Sequence, residues 1–326
     1  MTPRSAAQFA ATRDGGAVPP VERVRDRVWA VPVAMPGGQP RLAYTLAYLL
    51  VDDDDRVHVV DPGWDSDANR AVLERALRSL PGAVEIGSVI VTHLHPDHLG
   101  MAERLRAETG APLVLHEREA QALECQDLFR PADPAAWGVP ADRVEELRGI
   151  DGDRRDRQPV VRPDVVVRGQ VDHLQHPGLA IEVLHTPGHT TGSICLRLPG
   201  ERLLLTGDHV LPAIHPGLGL GGPSERNPVA EYLDSLGRVV DHDDHEVLPG
   251  HNYRFTGLAE RIAATAAHHR RRTDEVAAAL ERTPDASVFE VASVLTWTAG
   301  WQRMRGFTLY SALAQTAMHI DLVRTR

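Results

Sequence analysis

Cysteine is nearly absent from this chain. The 326 residues contain two, Cys125 and Cys195, with no CxxC pair. That excludes a disulfide scaffold and a zinc–thiolate site. Long apolar runs are missing too: no stretch reaches the roughly 20 residues that a membrane-spanning helix needs. The opening MTPRSAAQFAATRDGGAVPP has no apolar segment of the secretory kind. A soluble, cytoplasmic protein without a membrane partner is expected. Positive charge is also in short supply. Lys and Arg number 35 against 45 Asp and Glu, a formal charge of −10, which speaks against a general nucleic-acid binder. What the chain does have is apolar content of 42%, enough for a packed core, and 17 histidines. Several of these sit in short motifs with Gly, Asp or Pro. The length suits one large domain plus a small one.

Residues 1–20, rich in Ala, Gly and Pro, read as a flexible tail. Strand texture begins with RVWAVPV (27–33) and TLAYLLV (45–51). The run Asp52 to Asp55 then reads as a hairpin tip, since four like charges in a row resist burial. RVHVVD (56–61) follows, then a helical ANRAVLERALRSL (68–80). IGSVIVTH (86–93) is a buried strand, MAERLRAETG (101–110) a helix closed by Gly110, and APLVLH (111–116) another strand. Residues 117–178, dense in Pro, Asp and Arg, read as an insertion, either a cap over a pocket or a surface excursion. LAIEVLH (179–185), SICLRLP (193–199), ERLLLTGD (201–208) and HEVLPGH (245–251) complete the strands. Beyond Thr256 the texture is helical. The expected division is a body over 21–255, with 117–178 inserted, and a helical C-terminal domain over 256–326.

The segment VTHLHPDHLG (91–100) places His93, His95, Asp97 and His98 within six positions. Pro96 bars a simple continuation of the strand. Four ligand-type residues so close suit two diverging sets better than one tetrahedral ion. Partners stand at other strand ends: His189 in HTPGHTTGS, Asp208 in LLLTGDHV and His251 in VLPGHN. In α/β sheets, loops at strand ends converge on one edge. One ion would take His93, His95 and His189. The other would take Asp97, His98 and His251, with Asp208 bridging. Zinc suits such N/O ligands, and iron or manganese is also accepted. Two ions lower the pKa of a bound water toward neutrality, so a hydroxide exists at working pH.

HxHxDH at 93–98, PGH at 187–189, GD at 207–208 and PGH at 249–251 together resemble the metallo-β-lactamase-fold hydrolases. VVDPG (59–63) matches the family's Asp near the second strand, which places Asp61 behind the ligands rather than among them. The resemblance covers roughly residues 24–255. It implies an α/β fold, an αββα sandwich with a dinuclear site on one edge. The tail is similar to the helical, winged-helix-like extension of some lactamase-like hydrolases related to glyoxalase II. The implied reaction is hydrolysis of an ester, thioester or lactone of a small-molecule acyl substrate, with Asp97 also steering a proton. GHTTGS (188–193) lacks the GxSxG spacing of a serine-hydrolase elbow. Asp208 stands where secreted zinc β-lactamases carry Cys, and His95 where flavodiiron reductases carry Glu. HVLPAIHPGLG (209–219) differs from the usual glyoxalase II stretch. Two other reactions run on this scaffold: phosphodiester cleavage, disfavoured by the charge, and persulfide oxidation by a single iron, which uses the same HxHxDH string.

Further candidates lie around these motifs. His185 and His209 flank ligand motifs and either line the pocket or orient ligands. His215 and Tyr253 are candidates to face substrate. His242 and His245 read as a solvated connection, and His268 to Arg272 as an exposed helix face. Trp297, Trp301 and Phe307 are expected to pack the tail onto the body or onto a second copy, so a homodimer stays open.

Overall fold

A computed structural model describes residues 1–15, 17–37, 42–82, 85–124, 133–155, 161–298 and 300–325, without the side chains of 149–155. Its elements in chain order begin with β1 (Thr2–Pro3), α1 (Ala6–Asp14), β2 (Glu22–Arg25), β3 (Val28–Ala34), β4 (Tyr44–Val51), β5 (Arg56–Val60) and α2 (Asp67–Arg78). Next come β6 (Glu85–Ile90), α3 (Pro96–Leu99), α4 (Ala102–Thr109), β7 (Leu113–His116), α5 (Glu117–Glu124), α6 (Ala141–Arg155), β8 (Val165–Val167) and β9 (Val171–His176). The remainder are β10 (Leu179–His185), β11 (Ile194–Leu198), β12 (Leu203–Gly207), α7 (Pro228–Val239), β13 (Glu246–Pro249), β14 (Phe255–Thr256), α8 (Leu258–Arg282), α9 (Val288–Val294) and α10 (Gly306–Arg324). They build two seven-stranded sheets, β2-β3-β4-β5-β6-β7-β8 and β1-β14-β13-β12-β11-β10-β9.

Side chains alternate along a strand, and here both faces of the central strands are covered. Val28, Ala30, Leu46, Tyr48 and Leu50 of the first sheet meet Ile181, Val183, Leu196, Leu203 and Leu205 of the second. Their sequence neighbours Trp29, Val31, Ala47 and Leu49 point the other way, onto Leu73, Leu77, Met101 and Leu105 of the α2 and α4 layer. On the second sheet Leu204 and Val247 face outward onto Tyr232 and Leu236 of α7 and Leu258 and Ile262 of α8. Double burial is why TLAYLLV reads as one apolar run. The layers are helix, sheet, sheet, helix, the αββα sandwich that the motifs imply.

Several expectations change. Residues 1–15 are not a loose tail. Ser5 caps α1 by accepting from Gln8 N–H (3.0 Å), Gln8 is fully buried, and β1 pairs with β14 at Thr2↔Thr256. Gln8 Oε1 in turn accepts from Arg254 N–H at 3.0 Å. Ala-rich sequence is good helix sequence once tertiary contacts hold it.

The Asp run does sit at the β4–β5 turn, but Asp52 is only 1% exposed. Its Oδ1 accepts from Asp54 and Arg56 N–H (3.0 and 2.9 Å), and Oδ2 meets His58 Nε2 at 3.2 Å. Hydrogen bonds to both carboxylate oxygens make the buried charge tolerable.

Residues 117–178 are not one insertion. β8 and β9 are edge strands of the two sheets, so 165–176 belong to the body. The stretch before them packs on the tail: Trp137, Val139, Val144 and Leu147 share one apolar cluster with Ala292, Met304, Leu309 and Leu313. Among its described residues the tail forms the helices α8, α9 and α10. Its basic run divides: Arg270 and Arg271 are exposed as expected, while His269 is 1% exposed. His245 is buried as well, taking Arg197 Nε–H at 3.1 Å. No described helix is long and apolar enough to cross a membrane.

Candidate metal centre

The C-terminal ends of β5, β6, β10, β12 and β13 open onto one edge of the sandwich, and the motif residues follow them. After β6 the chain runs free to His95, and Pro96 then occupies the first position of α3. Proline suits that position because its φ is already helical and it has no N–H to satisfy. The turn separates His93 and His95 from Asp97 and His98. Across the gap between sheets, Leu46 N–H donates to Gly250 O (2.7 Å), and Thr45 bridges His251. Gly250 must be glycine: a Cβ there would lie 2.6 Å from both Asp208 Oδ1 and His98 Cε1.

Three imidazole nitrogens form a triangle. His93 Nε2 is 3.0 Å from His95 Nδ1 and 3.3 Å from His189 Nε2, and the last two are 3.1 Å apart. Nitrogens ~2.0–2.1 Å from one ion at tetrahedral angles would stand about 3.3 Å apart. The second group lies alongside. Asp97 Oδ2 is 3.1 Å from His251 Nε2 and 3.6 Å from His98 Nε2. Asp208 reaches into both: Oδ1 is 3.4 Å from His98 Nε2 and 3.5 Å from His251 Nε2, while Oδ2 is 3.7 Å from His189 Nε2. His98 Nε2 and Asp208 Oδ1 are buried with no hydrogen-bond partner. Buried polar atoms without partners, ringed by ligand-type atoms, fit a cation. All seven residues drawn from the motifs thus come together, in three groups able to hold metal: His93, His95 and His189; Asp97, His98 and His251; and His93, His98 and Asp208, which overlaps both.

Every imidazole spends its other nitrogen on a fixed acceptor, which sets the tautomer. His95 Nε2 donates to Leu220 O (3.0 Å), His189 Nδ1 to Gly217 O (2.6 Å) and His251 Nδ1 to Tyr44 O (2.9 Å). His98 Nδ1 donates to Asp61 Oδ2 at 2.8 Å. His93 Nδ1 faces Thr92 Oγ1 (3.1 Å), whose hydroxyl donates to the same Asp61 Oδ2 at 2.7 Å. Asp61 therefore orients two imidazoles from behind and is not itself a member of any of these metal-binding groups. It does so from a left-handed backbone, φ +49°, a conformation uncommon outside glycine.

The other candidates lie elsewhere. His185 donates Nε2–H to Thr191 O (3.0 Å) and stacks on His116. His209 follows Asp208 but turns its ring edgewise to Tyr232. His215 stacks on His268 of α8, and Tyr253 packs edgewise on Phe9 of α1. Tyr253 thus packs against the N-terminal helix. One residue of this region carries no signal in the sequence: Glu119, buried against the backbone around His93, His95 and His189.

Burial holds His93 and His189 below the ordinary imidazole range, and His95 down to about 3, so all three are neutral and ready to ligate. The second group differs. Burial opposes charge on His98 and His251, but Asp61, Asp97 and Asp208 overcome it. His98 is raised well above its usual value and His251 to about 10. In neutral solution the ion-free protein carries both protons, and each must leave before its nitrogen can coordinate. Divalent-metal affinity is therefore expected to rise with pH from neutrality up to about 10, by up to about tenfold per pH unit for each proton displaced. Titration calorimetry in buffers of different ionisation enthalpy measures the released protons. A pH-independent affinity with no proton release would contradict this assignment.

Comparison with known proteins agrees with the geometry. The sequence profile described as the metallo-beta-lactamase superfamily matches residues 41–251. A beta-lactamase domain protein from Burkholderia ambifaria is similar in structure, with TM-score 0.78 and 26% identity over 94% of this chain and 89% of that one. In sequence the chain is 30% identical to a hydroxyacylglutathione hydrolase from Albidiferax ferrireducens, over 67% of each protein. It is 27% identical to an atrochrysone carboxyl ACP thioesterase from Aspergillus fumigatus, over 81% of this chain and 68% of that enzyme. With the profile spanning more than half its length, the chain belongs to the metallo-beta-lactamase superfamily and is a metal-dependent hydrolase.

Proposed function

We propose that this protein hydrolyses an acyl bond, a thioester, ester or lactone, of a small molecule, using two zinc ions. The observation that carries the reading is Asp208, whose Oδ1 faces His98 and His251 while Oδ2 faces His189. A carboxylate turned both ways serves two centres, and a single structural ion has no need of it. His93, His95 and His189 would hold one ion, and Asp97, His98 and His251 the other. When bound, such a pair supplies a nucleophilic water at neutral pH and polarises the substrate carbonyl.

The protein's own share is orientation and proton handling. Five imidazoles are locked by the acceptors described above, so little reorganisation is left for the reaction. Asp97, with 14% of its side chain exposed, sits at the open side of the site. Its carboxylate is the group to take up and return a proton. Cys195, the described cysteine, is no alternative nucleophile. It is fully buried, and burial pushes its thiol up to about 12. The names of two relatives, a hydroxyacylglutathione hydrolase and an acyl-carrier-protein thioesterase, point toward thioesters.

The test is metal quantification on the purified protein joined to a panel of thioesters, lactones, aryl esters, a phosphodiester and a β-lactam. Two zinc per chain with turnover confined to acyl bonds is expected. Faster phosphodiester cleavage would overturn the reading, as would one iron per chain with oxygen uptake on a persulfide.

A further inference from the structure

Glu119, on the first turn of α5, is completely buried. Among the described residues it has no cation within ion-pair distance. A buried carboxylate without a counter-charge is costly unless hydrogen bonds hold it. Its Oε2 accepts from Leu94 N–H at 2.7 Å. Its Oε1 accepts from Gly192 N–H at 2.6 Å and from the Thr190 hydroxyl at 2.8 Å. Leu94 is the residue between His93 and His95, and Thr190 and Gly192 follow His189 in its loop. We infer that Glu119 is a positioning residue for the three-imidazole pocket: one carboxylate ties the backbone carrying His93 and His95 to the loop carrying His189.

The tie matters because the triangle of nitrogens is assembled from segments more than ninety residues apart in sequence. Each side alone is a loop, and loops hold ligand positions to the needed tolerance only when something fixes them together. Leu220 makes a parallel tie through its backbone, accepting from His95 Nε2 and donating to His189 O (2.8 Å). No substitution at Leu220 removes either of those backbone contacts, and cutting the first at His95 would remove a ligand as well. Glu119 is the tie that substitution can remove. Its three donors also explain why a carboxylate is needed. Burial pushes its pKa up to about 7, while the bonds from Thr190, Leu94 and Gly192 pull it back down. Gly192 completes the fit: a Cβ there would come within 2.5 Å of Glu119 N and 2.7 Å of its Oε1.

The test reads metal, not turnover, and so does not depend on the acyl substrate. Glu119→Gln keeps the volume but presents an amide N–H₂ to donors it cannot accept from. Zinc affinity of the weakened pocket, measured against a chromogenic chelator, is expected to fall about 10–100-fold. The visible absorption of the cobalt-substituted protein should change as well. Thr190→Val, which removes one donor only, should give a smaller loss in the same direction and keeps the test open if Glu119→Gln does not fold. Val276→Ala, in the buried interior of α8, serves as a comparator that lowers the melting temperature away from the site. Unchanged zinc affinity and cobalt spectrum in Glu119→Gln would overturn the inference. So would an equal loss in Val276→Ala at the same fall in melting temperature. His189→Ala separates the two readings: if it binds metal like the parent protein, the pocket assignment itself fails. If it loses an ion while Glu119→Gln does not, only the role of Glu119 falls.

Discussion

Replacing His95 and Asp208 together by alanine is expected to lower kcat/KM by more than about a thousandfold, roughly 4 kcal/mol of transition-state stabilisation. Bound metal should be lost with it. The reason is geometric. Without His95 the triangle shrinks to His93 and His189, 3.3 Å apart, a pair with too few donors for a closed tetrahedral set. Without Asp208 the groups lose the carboxylate that faces both, and His98 and His251 keep only Asp97 and Asp61 as counter-charges. Metal content by mass spectrometry and turnover on the best panel substrate give the answer. Retained turnover would end the metal-hydrolase assignment of these residues. Asp208→Asn alone, which preserves shape, should already cost most of the activity if the bridging charge is what matters.

Cutting the chain after Thr256 should leave no soluble, folded protein. The helical tail covers apolar surface that the body cannot leave bare: Leu258, Ile262 and Ala266 of α8 lie in one cluster with Leu204, Val247, Tyr232 and Leu236. Exposed patches of that kind drive aggregation. The tail also braces the loop that orients the site. Arg261 donates to Leu211 O (2.6 Å) and Ile214 O (2.5 Å), and Asn227 Nδ2 donates to Met318 O at 2.8 Å. That loop continues to Gly217 and Leu220, whose carbonyls hold His189 and His95. Arg261→Ala is the milder form of the same test. Loss of two charge-assisted bonds is expected to cost about 1.5–3 kcal/mol each at most and to raise hydrogen exchange across 211–220. A truncated protein that stays monomeric, folded and metal-competent would show the tail to be an independent appendage.

Much of the site is legible in the sequence. His93, His95, Asp97, His98, His189, Asp208 and His251 announce themselves because ligand chemistry tolerates few residue types, and each stands just past a run of strand-forming residues. Asp61 was legible through its motif, although only the fold shows it serving His98 directly and His93 through Thr92. The sheets were legible from apolar runs, and the tail from its helix formers. Tyr253 and His215 show the limit. Both neighbour ligand motifs in sequence, yet each packs against a distant helix, on Phe9 and His268. Sequence proximity carries no direction once the chain leaves a strand.

Local chemistry sufficed, then, for what repeats or is chemically rare: strand periodicity, helix composition, and the residue types that bind metal. Tertiary structure alone decided what depends on contacts between remote segments. It chose the nitrogen that each imidazole offers, by placing a carbonyl or carboxylate against the other one. It paired Thr2–Pro3 with β14 and joined the 137–147 stretch to the tail. And it turned Glu119, an unremarkable Glu in the charged EREAQALE helix, into a buried acceptor between two ligand loops. The free energy of such contacts lies in desolvated hydrogen bonds and packing between elements far apart in the chain, and no window of sequence contains both partners.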